Sequence, residues 1–239
     1  VHFLLRKTRK TTIHFFKFNV SWEIIMKFAK SALFAATMLS AVSASAVEVS
    51  GNVALGSDYF FRGYDQSMGA ALSGGFDVAS ESGFYAGAWG SSVDAGTSSG
   101  GLELDYYVGY GGSLSESVSY DIGYIFYGYP NDTESNFEEV YGSVSYADVT
   151  IGFATTDDWF AGTGNYEYIY ADYGVALSEE YSLGFHYGKS TGAEDYDDYA
   201  VSLSTEAAGL GFDLSWISTN TAEGAYADNE FVLTISKSL

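Results

Sequence analysis

Carboxylates spaced along alternating stretches, rather than gathered at one point, carry the chemical signal of this chain. Asp77, Glu103, Asp105, Asp121, Glu139, Asp172 and Asp213 each lie where polar and apolar residues alternate. Asp58 and two groups of the opposite character, Arg62 and His186, extend the set, with Asn52 and Glu230 in matching positions. On an extended backbone every second side chain shares a face, so these groups are expected to line one surface. If that surface encloses a passage, carboxylates between low-dielectric walls concentrate cations and repel anions. Arg62 is then a minority positive charge, expected to pair with Asp58, Asp65 or a carboxylate across the interior. It has two readings, a constriction residue that sorts charge or a structural tie between loop and wall.

The same residues give little support to catalysis. His186 is the single histidine of residues 47–239, and the chain has no cysteine. A nucleophile needs an adjacent base, and no such pairing is visible, so an enzyme is not expected. No catalytic residue, metal or cofactor is assigned. The run Glu194-Asp195-Tyr196-Asp197-Asp198 is dense in acid but lacks the glycine and spacing of a calcium loop, and reads as a solvated acidic loop.

Period-two alternation decides which elements must position these groups. Val47, Val49, Gly51, Val53 and Leu55 alternate with Glu48, Ser50, Asn52 and Ala54. Equivalent stretches occupy 72–78, 102–110, 118–126, 140–146, 149–153, 169–177, 181–187, 199–203, 210–216 and 231–235. Phe84–Val93 is also a strand, with apolar residues on both faces. Twelve strands result, joined alternately by five short turns and six longer polar loops. The loops are 58–69, 94–101, 130–137, 157–164, 190–197 and 219–229. An even number of antiparallel strands with connections sorted by length is the pattern of a transmembrane up-and-down barrel. Closure leaves no backbone edge unpaired in lipid. One face is apolar and rich in Tyr, Phe and Trp, with Tyr181, Tyr187, Tyr199 and Trp216 as candidates for aromatic girdles. The other is small and polar. A soluble barrel with an apolar interior would instead keep lysine on its surface, and lysine is nearly absent from this region.

Charge divides the chain. Residues 47–239 hold 30 acidic residues against three basic ones (Arg62, Lys189, Lys237), whereas most of the basic residues lie before Val47. So acidic a body excludes the holding of a phosphate backbone, and no nucleic acid is expected as partner. The basic stretch contains an export signal: Lys27 and Lys30, the apolar run Ala32–Val42, then Ala44-Ser45-Ala46 as a cleavage motif. The expected organisation is an upstream extension from a start assigned too early over 1–25, a signal peptide over 26–46 and an outer-membrane β-barrel over 47–239.

The run Gly51-Asn52-Val53-Ala54-Leu55-Gly56-Ser57-Asp58-Tyr59-Phe60-Phe61-Arg62-Gly63-Tyr64-Asp65-Gln66-Ser67 resembles the TorF-like porins, proteobacterial outer-membrane proteins. The carrying element is aromatic–Arg–Gly–x–x–Gln–Ser after an N-terminal strand. The resemblance continues through Gly83–Trp89, Leu102–Tyr110 and Tyr120–Tyr124 and spans residues 47–239. It implies an outer-membrane barrel with a porin role and does not define the solute. The chain departs from the commoner outer-membrane pattern in ending on Leu239 rather than Phe, which bears on assembly efficiency.

The function expected from these readings is passive diffusion of small solutes through a cation-preferring lumen in a bacterial outer membrane. The competing expectation is a closed structural or adhesive barrel acting through its external loops. Twelve strands give a bore between the filled eight-stranded barrels and the aqueous sixteen-stranded ones, and Tyr107, Tyr141, Tyr168 and Tyr170 are expected either to narrow it or to stack on a planar or sugar-like solute. The expected partners are outer-membrane lipid and lipopolysaccharide, the barrel-assembly machinery and small-molecule solutes.

Overall fold

The computed structural model describes residues 47–94, 100–221 and 224–239. The expected upstream extension and signal peptide lie outside the described residues. In chain order the strands are β1 (Val47–Gly56), β2 (Phe60–Phe61), β3 (Tyr64–Asp65), β4 (Ala71–Ser80), β5 (Phe84–Ser92), β6 (Leu102–Ser113) and β7 (Val118–Gly128). They continue as β8 (Phe137–Tyr146), β9 (Val149–Trp159), β10 (Gly164–Ala176), β11 (Tyr181–Gly192), β12 (Tyr196–Ala207), β13 (Leu210–Thr219) and β14 (Glu230–Ser238). Twelve of them close an antiparallel barrel, and β2 and β3 form a separate two-stranded hairpin. Each barrel strand pairs with its neighbour in sequence, while β1 and β14 close the ring through Asn52–Gly56 against Thr234–Ser238.

Alternation sorts the side chains. Val49, Leu55, Leu72, Phe76, Ile122, Val144, Ile151, Ile169 and Phe231 point outward and are exposed. Such a belt of apolar side chains suits a barrel whose outer solvent is lipid. Tyr181 and Tyr187 are exposed on the same surface, Tyr187 packing on Tyr199 with ring centroids 5.6 Å apart. The two-faced segment resolves in β5, where Trp89 and Ser91 line the lumen and Phe84 is exposed.

Two boundaries differ from the sequence reading. The loop expected over 190–197 shrinks to residues 193–195, because β11 runs to Gly192 and β12 begins at Tyr196. Inward packing extends these strands: Tyr196, Ser190 and Tyr166 are all buried, and Tyr166 and Ser190 share a hydroxyl hydrogen bond. Asp198 is therefore a lumenal strand residue and not part of a solvated acidic loop.

The first loop is the larger difference. Strand parity does not carry on from β1 to Arg62. The chain instead folds back as the β2–β3 hairpin, with Arg62 and Gly63 as its two tip residues. Both have positive φ, 50° and 78°, the backbone of a two-residue hairpin turn matched to strand twist. Gly63 takes this shape without penalty, while Arg62 does so under strain. Phe60, Phe61 and Arg62 are buried inside the barrel. Phe60 packs with Ile217, Ala227 and Val232, and Phe61 joins the aromatic cluster of Tyr107, Tyr127, Phe137, Trp159, Tyr166 and Tyr168. Burying the two phenylalanines contributes about 1.5–3 kcal/mol each to keeping the hairpin inside.

Neighbouring loops clasp the hairpin. The Ala227 amide donates to the Gly63 carbonyl at 2.8 Å, the Asp65 amide to the Ala225 carbonyl at 2.9 Å, and the Asp94 amide to the Gln66 carbonyl at 2.8 Å. The Tyr64 and Tyr226 rings meet edge-to-face at 5.1 Å. A Cβ added at Gly63 would collide with the Thr219 methyl group besides adopting positive φ. Gly63→Ala should therefore cost the closed hairpin about 1–3 kcal/mol while sparing the barrel. Limited proteolysis would show faster cleavage within residues 59–69 at an unchanged melting temperature. Equal cleavage of variant and wild type would contradict this.

Candidate functional site: the lumen and its hairpin

The interior is lopsided. The wall of β1, β4, β13 and β14 is built from small side chains such as Ser50, Asn52, Ser73, Ser215, Thr234 and Ser236. Against it lies a cavity of about 2670 Å³, counting the space open to solvent. It runs from Glu48, Gly209 and Lys237 at the short-turn end up to Tyr59 and Phe60 of the first loop. Polar groups lining it include Asp58, Asp77, Asp172, His186, Glu206 and Asp213. Acids outnumber bases along this surface, where Lys237 at the turn end and His186 are the cationic groups.

The opposite wall is filled. Inward tyrosines of β5–β10 lie along it, and their hydroxyls reach lumenal carboxylates. Tyr85 donates to Asp121 at 2.7 Å and shares a hydrogen bond with Tyr141 at 2.8 Å. Tyr107 donates to Asp77, Tyr127 to Glu139 at 3.1 Å, and Tyr168 to Asp198 at 3.2 Å. From the first loop, Tyr59 donates to Glu103 at 3.2 Å. Glu103, Asp105 and Glu139 are almost wholly buried. Asp213 accepts from Ser204 and Ser215, both at 2.6 Å, and faces the open cavity.

Two charge clusters sit where the cavity meets the hairpin. In the first, both guanidinium nitrogens of Arg62 donate to Glu139, at 2.7 and 2.8 Å. The guanidinium carbon also lies over four rings: Tyr168 at 4.3 Å, Phe61 at 4.6 Å, Tyr166 at 5.3 Å and Trp159 at 5.7 Å. A planar bidentate pair supported by ring faces is among the strongest contacts open to an arginine. In the second, His186 Nδ1 lies 2.7 Å from Asp172, and Nε2 lies 3.0 Å from Asp198 and 2.8 Å from the Tyr168 hydroxyl. The ring satisfies both carboxylates only as an imidazolium, which donates from each nitrogen. Tyr168 links the clusters, since its ring carries Arg62 and its hydroxyl reaches Asp198.

Of the residues expected to line the passage, Asp58, Asp77, Asp172, His186 and Asp213 border the large cavity and Arg62 and Glu139 the smaller one, whereas Glu103 and Asp105 are buried in the filled wall and Asp121 accepts from Tyr85, with none of these three bordering either cavity. Glu230 is exposed at the start of β14, at the loop end. Of the partners weighed for Arg62, the carboxylate across the interior is the one observed. Asp58 instead accepts from Ser67 and from the Tyr59 and Gly69 amides, which shapes the stem of the first loop. Sequence reasoning missed Asp198, Trp159, Tyr166 and Tyr127. For Tyr127, Tyr166 and Asp198 the even spacing along β7, β10 and β12 was the available signal, hidden because the expected strands stopped short of it, whereas Trp159 follows a register shift at the end of β9 that breaks the alternation.

Asp65, half-buried in β3 of the hairpin, adds a pH dependence. Partial burial pushes its carboxyl up to about 6, with the neighbouring Asp58 carboxyl adding to the rise against the Met68 amide hydrogen bond. A carboxyl raised in the folded state holds its proton more tightly there than in the open loop. Its contribution to hairpin closure is full below about pH 4 and lost as pH rises through about 6. Protease sensitivity of residues 59–69 should therefore increase across that interval. Asp65→Asn should flatten the profile, and a slope that survives the substitution would assign it to another group.

Comparison with known proteins defines the family. Residues 40–238 match the family described as "Bacterial protein of unknown function (Gcw_chp)". The chain belongs to the Gcw_chp family. No curated protein matches it. Among solved structures, this Gcw_chp chain is similar to the KdgM porin at TM-score 0.54 and 10% identity, covering 79% of this chain and 97% of that one. A KdgM porin in complex with disordered oligogalacturonate matches at TM-score 0.53 and 8% identity, with coverage of 81% and 98%. The NanC porin matches at TM-score 0.51 and 11% identity, with coverage of 78% and 97%. Likenesses at such low identity establish a porin-type barrel fold for this Gcw_chp member.

Proposed function

We propose that this protein is an outer-membrane porin-like channel for passive diffusion of small solutes, with a cation-preferring lumen and a first-loop hairpin that closes it. The supporting observation is the acid-lined cavity of about 2670 Å³ that reaches from the short-turn end to Phe60. A passage lined by carboxylates and bounded by low-dielectric walls favours cations. The porin-type fold and the resemblance of the Arg62-Gly63-x-x-Gln66-Ser67 element to TorF-like porins support the same reading. Lipid and lipopolysaccharide around the apolar belt, export through the leader over 26–46 and delivery by the barrel-assembly machinery belong to this proposal.

Reconstitution of the chain from residue 47 in a planar bilayer under a salt gradient tests it. Open events are expected to reverse at a potential of cation-selective sign, and Asp213→Asn should shift that potential towards zero, since Asp213 faces the open cavity. An anion-selective reversal would reject the charge assignment. One observation favours a second reading, a closed structural barrel acting through its loops: the hairpin and its clasp stop the cavity in this conformation. That reading predicts silence even when the hairpin is removed.

A further inference from the structure

The Arg62 nest has the build of a receptor. One carboxylate, Glu139, accepts both guanidinium N–H donors and is itself oriented by the Tyr127 hydroxyl at 3.1 Å. Wall rings from Trp159, Tyr166 and Tyr168 face the guanidinium, and Phe61 of the hairpin covers it. Trp159 and Tyr166 are stacked on each other at 3.7 Å, so these two wall rings support one another. The nest is not closed off: Arg62, Glu139 and Tyr168 also line a cavity of about 770 Å³, again counting open space, shared with His186 and Asp198. The occupant is held in a strained backbone, at positive φ on the tip of a hairpin that is separate from the barrel's own strand pairing.

We propose that this nest is a recognition site for guanidinium-bearing organic cations, with Arg62 as its internal occupant, and that such solutes are the cargo class that displaces the hairpin. This rests on the channel reading and deepens it. A guanidinium matches the carboxylate with two parallel N–H donors and stacks flat on the rings, whereas an ammonium offers a compact point charge and loses the bidentate contact. The site therefore distinguishes the two cations by shape at equal charge.

The test uses Arg62→Gly, because glycine accepts positive φ and leaves the nest empty. Ethylguanidinium should raise the melting temperature of the detergent-purified variant at about tenfold lower concentration than ethylammonium does. That preference should vanish in Arg62→Gly/Glu139→Gln. In wild-type protein the nest is filled, so ethylguanidinium should raise open probability in the bilayer severalfold and ethylammonium should not. Equal action of both cations, or a preference that survives Glu139→Gln, overturns the inference. Should Arg62→Gly fail to fold, Arg62→Lys keeps a tethered cation with a poorer fit, and ethylguanidinium should then open it at lower concentration than wild type. No change in that concentration overturns the inference equally. The two readings fail separately: conduction without guanidinium preference removes only the receptor. Guanidinium binding by a barrel that stays silent with the hairpin excised removes the channel and, with it, the cargo assignment.

Discussion

Excision of the hairpin tip is expected to convert a quiet barrel into a conducting one. The Gln66 amide donates to the Tyr59 carbonyl at 2.8 Å, so the ends of the excised segment are already adjacent and two glycines can join them. Removing residues 60–65 takes out Phe60, which stops the main cavity, together with Phe61 and Arg62. The space they leave joins that cavity to the loop end of a twelve-stranded barrel, whose bore lies between the filled and the aqueous classes. Single-channel conductance should rise at least about tenfold over the resting wild type, with fewer closures. The barrel's own pairing does not involve this segment, so heat-modifiable migration should be retained. A folded but silent excision variant would rule out the channel and leave the structural barrel.

Neutralising Glu139 should have the largest energetic effect of any single change in the lumen. Glu139→Gln leaves a buried guanidinium without its countercharge, and breaking one side of such a pair costs about 3–5 kcal/mol. The chain has an escape, because the hairpin can leave the lumen and hydrate Arg62. The cost therefore falls on hairpin closure rather than on the barrel. Protection of residues 59–69 from protease should drop by about two to nearly four orders of magnitude, the equivalent of that free energy. The thermal transition should fall as well, since hairpin closure is open only to the folded barrel, while heat-modifiable migration is retained. Arg62→Gly/Glu139→Gln should recover part of the protection, since neither charge is then buried alone. Loss of heat-modifiable migration with Glu139→Gln would show instead that the pair holds the wall.

The barrel was legible in the chain because period-two alternation is a local property. Val49, Val53 and Leu55 declare a face without reference to any partner, and Asp77, Asp121 and Asp213 follow from the same parity. Arg62 was legible as a charge turned inward, but its location was not. Nothing near Phe60-Phe61-Arg62-Gly63 breaks the alternation strongly enough to mark a two-residue turn, and arginine is an unusual choice for its first position. Its partner Glu139 lies 77 residues away, and only closure of the ring brings them together. Asp198 was hidden for a different reason. It ends a run of four acids that reads as solvated, and burial by Tyr168 and His186 comes from strands on the far side of a turn.

The tyrosines of the filled wall share one further arrangement. Tyr107, Tyr85, Tyr141, Tyr170 and Tyr168 lie against Gly87, Gly109, Gly123, Gly152 and Gly188, where an added Cβ would strike the ring or its hydroxyl. The hydroxyl end of each ring abuts a neighbouring strand because that strand has a bare Cα to receive it. The width of the bore is thus written on the strand beside each tyrosine. A single methyl group at one of these glycines would swing a ring out like a shutter across the passage. Because the Tyr107, Tyr85 and Tyr168 hydroxyls also hold Asp77, Asp121 and Asp198, and a Cβ at Gly188 would meet the Asp198 carboxylate itself, narrowing the aperture from the backbone side also releases carboxylates that select the solute.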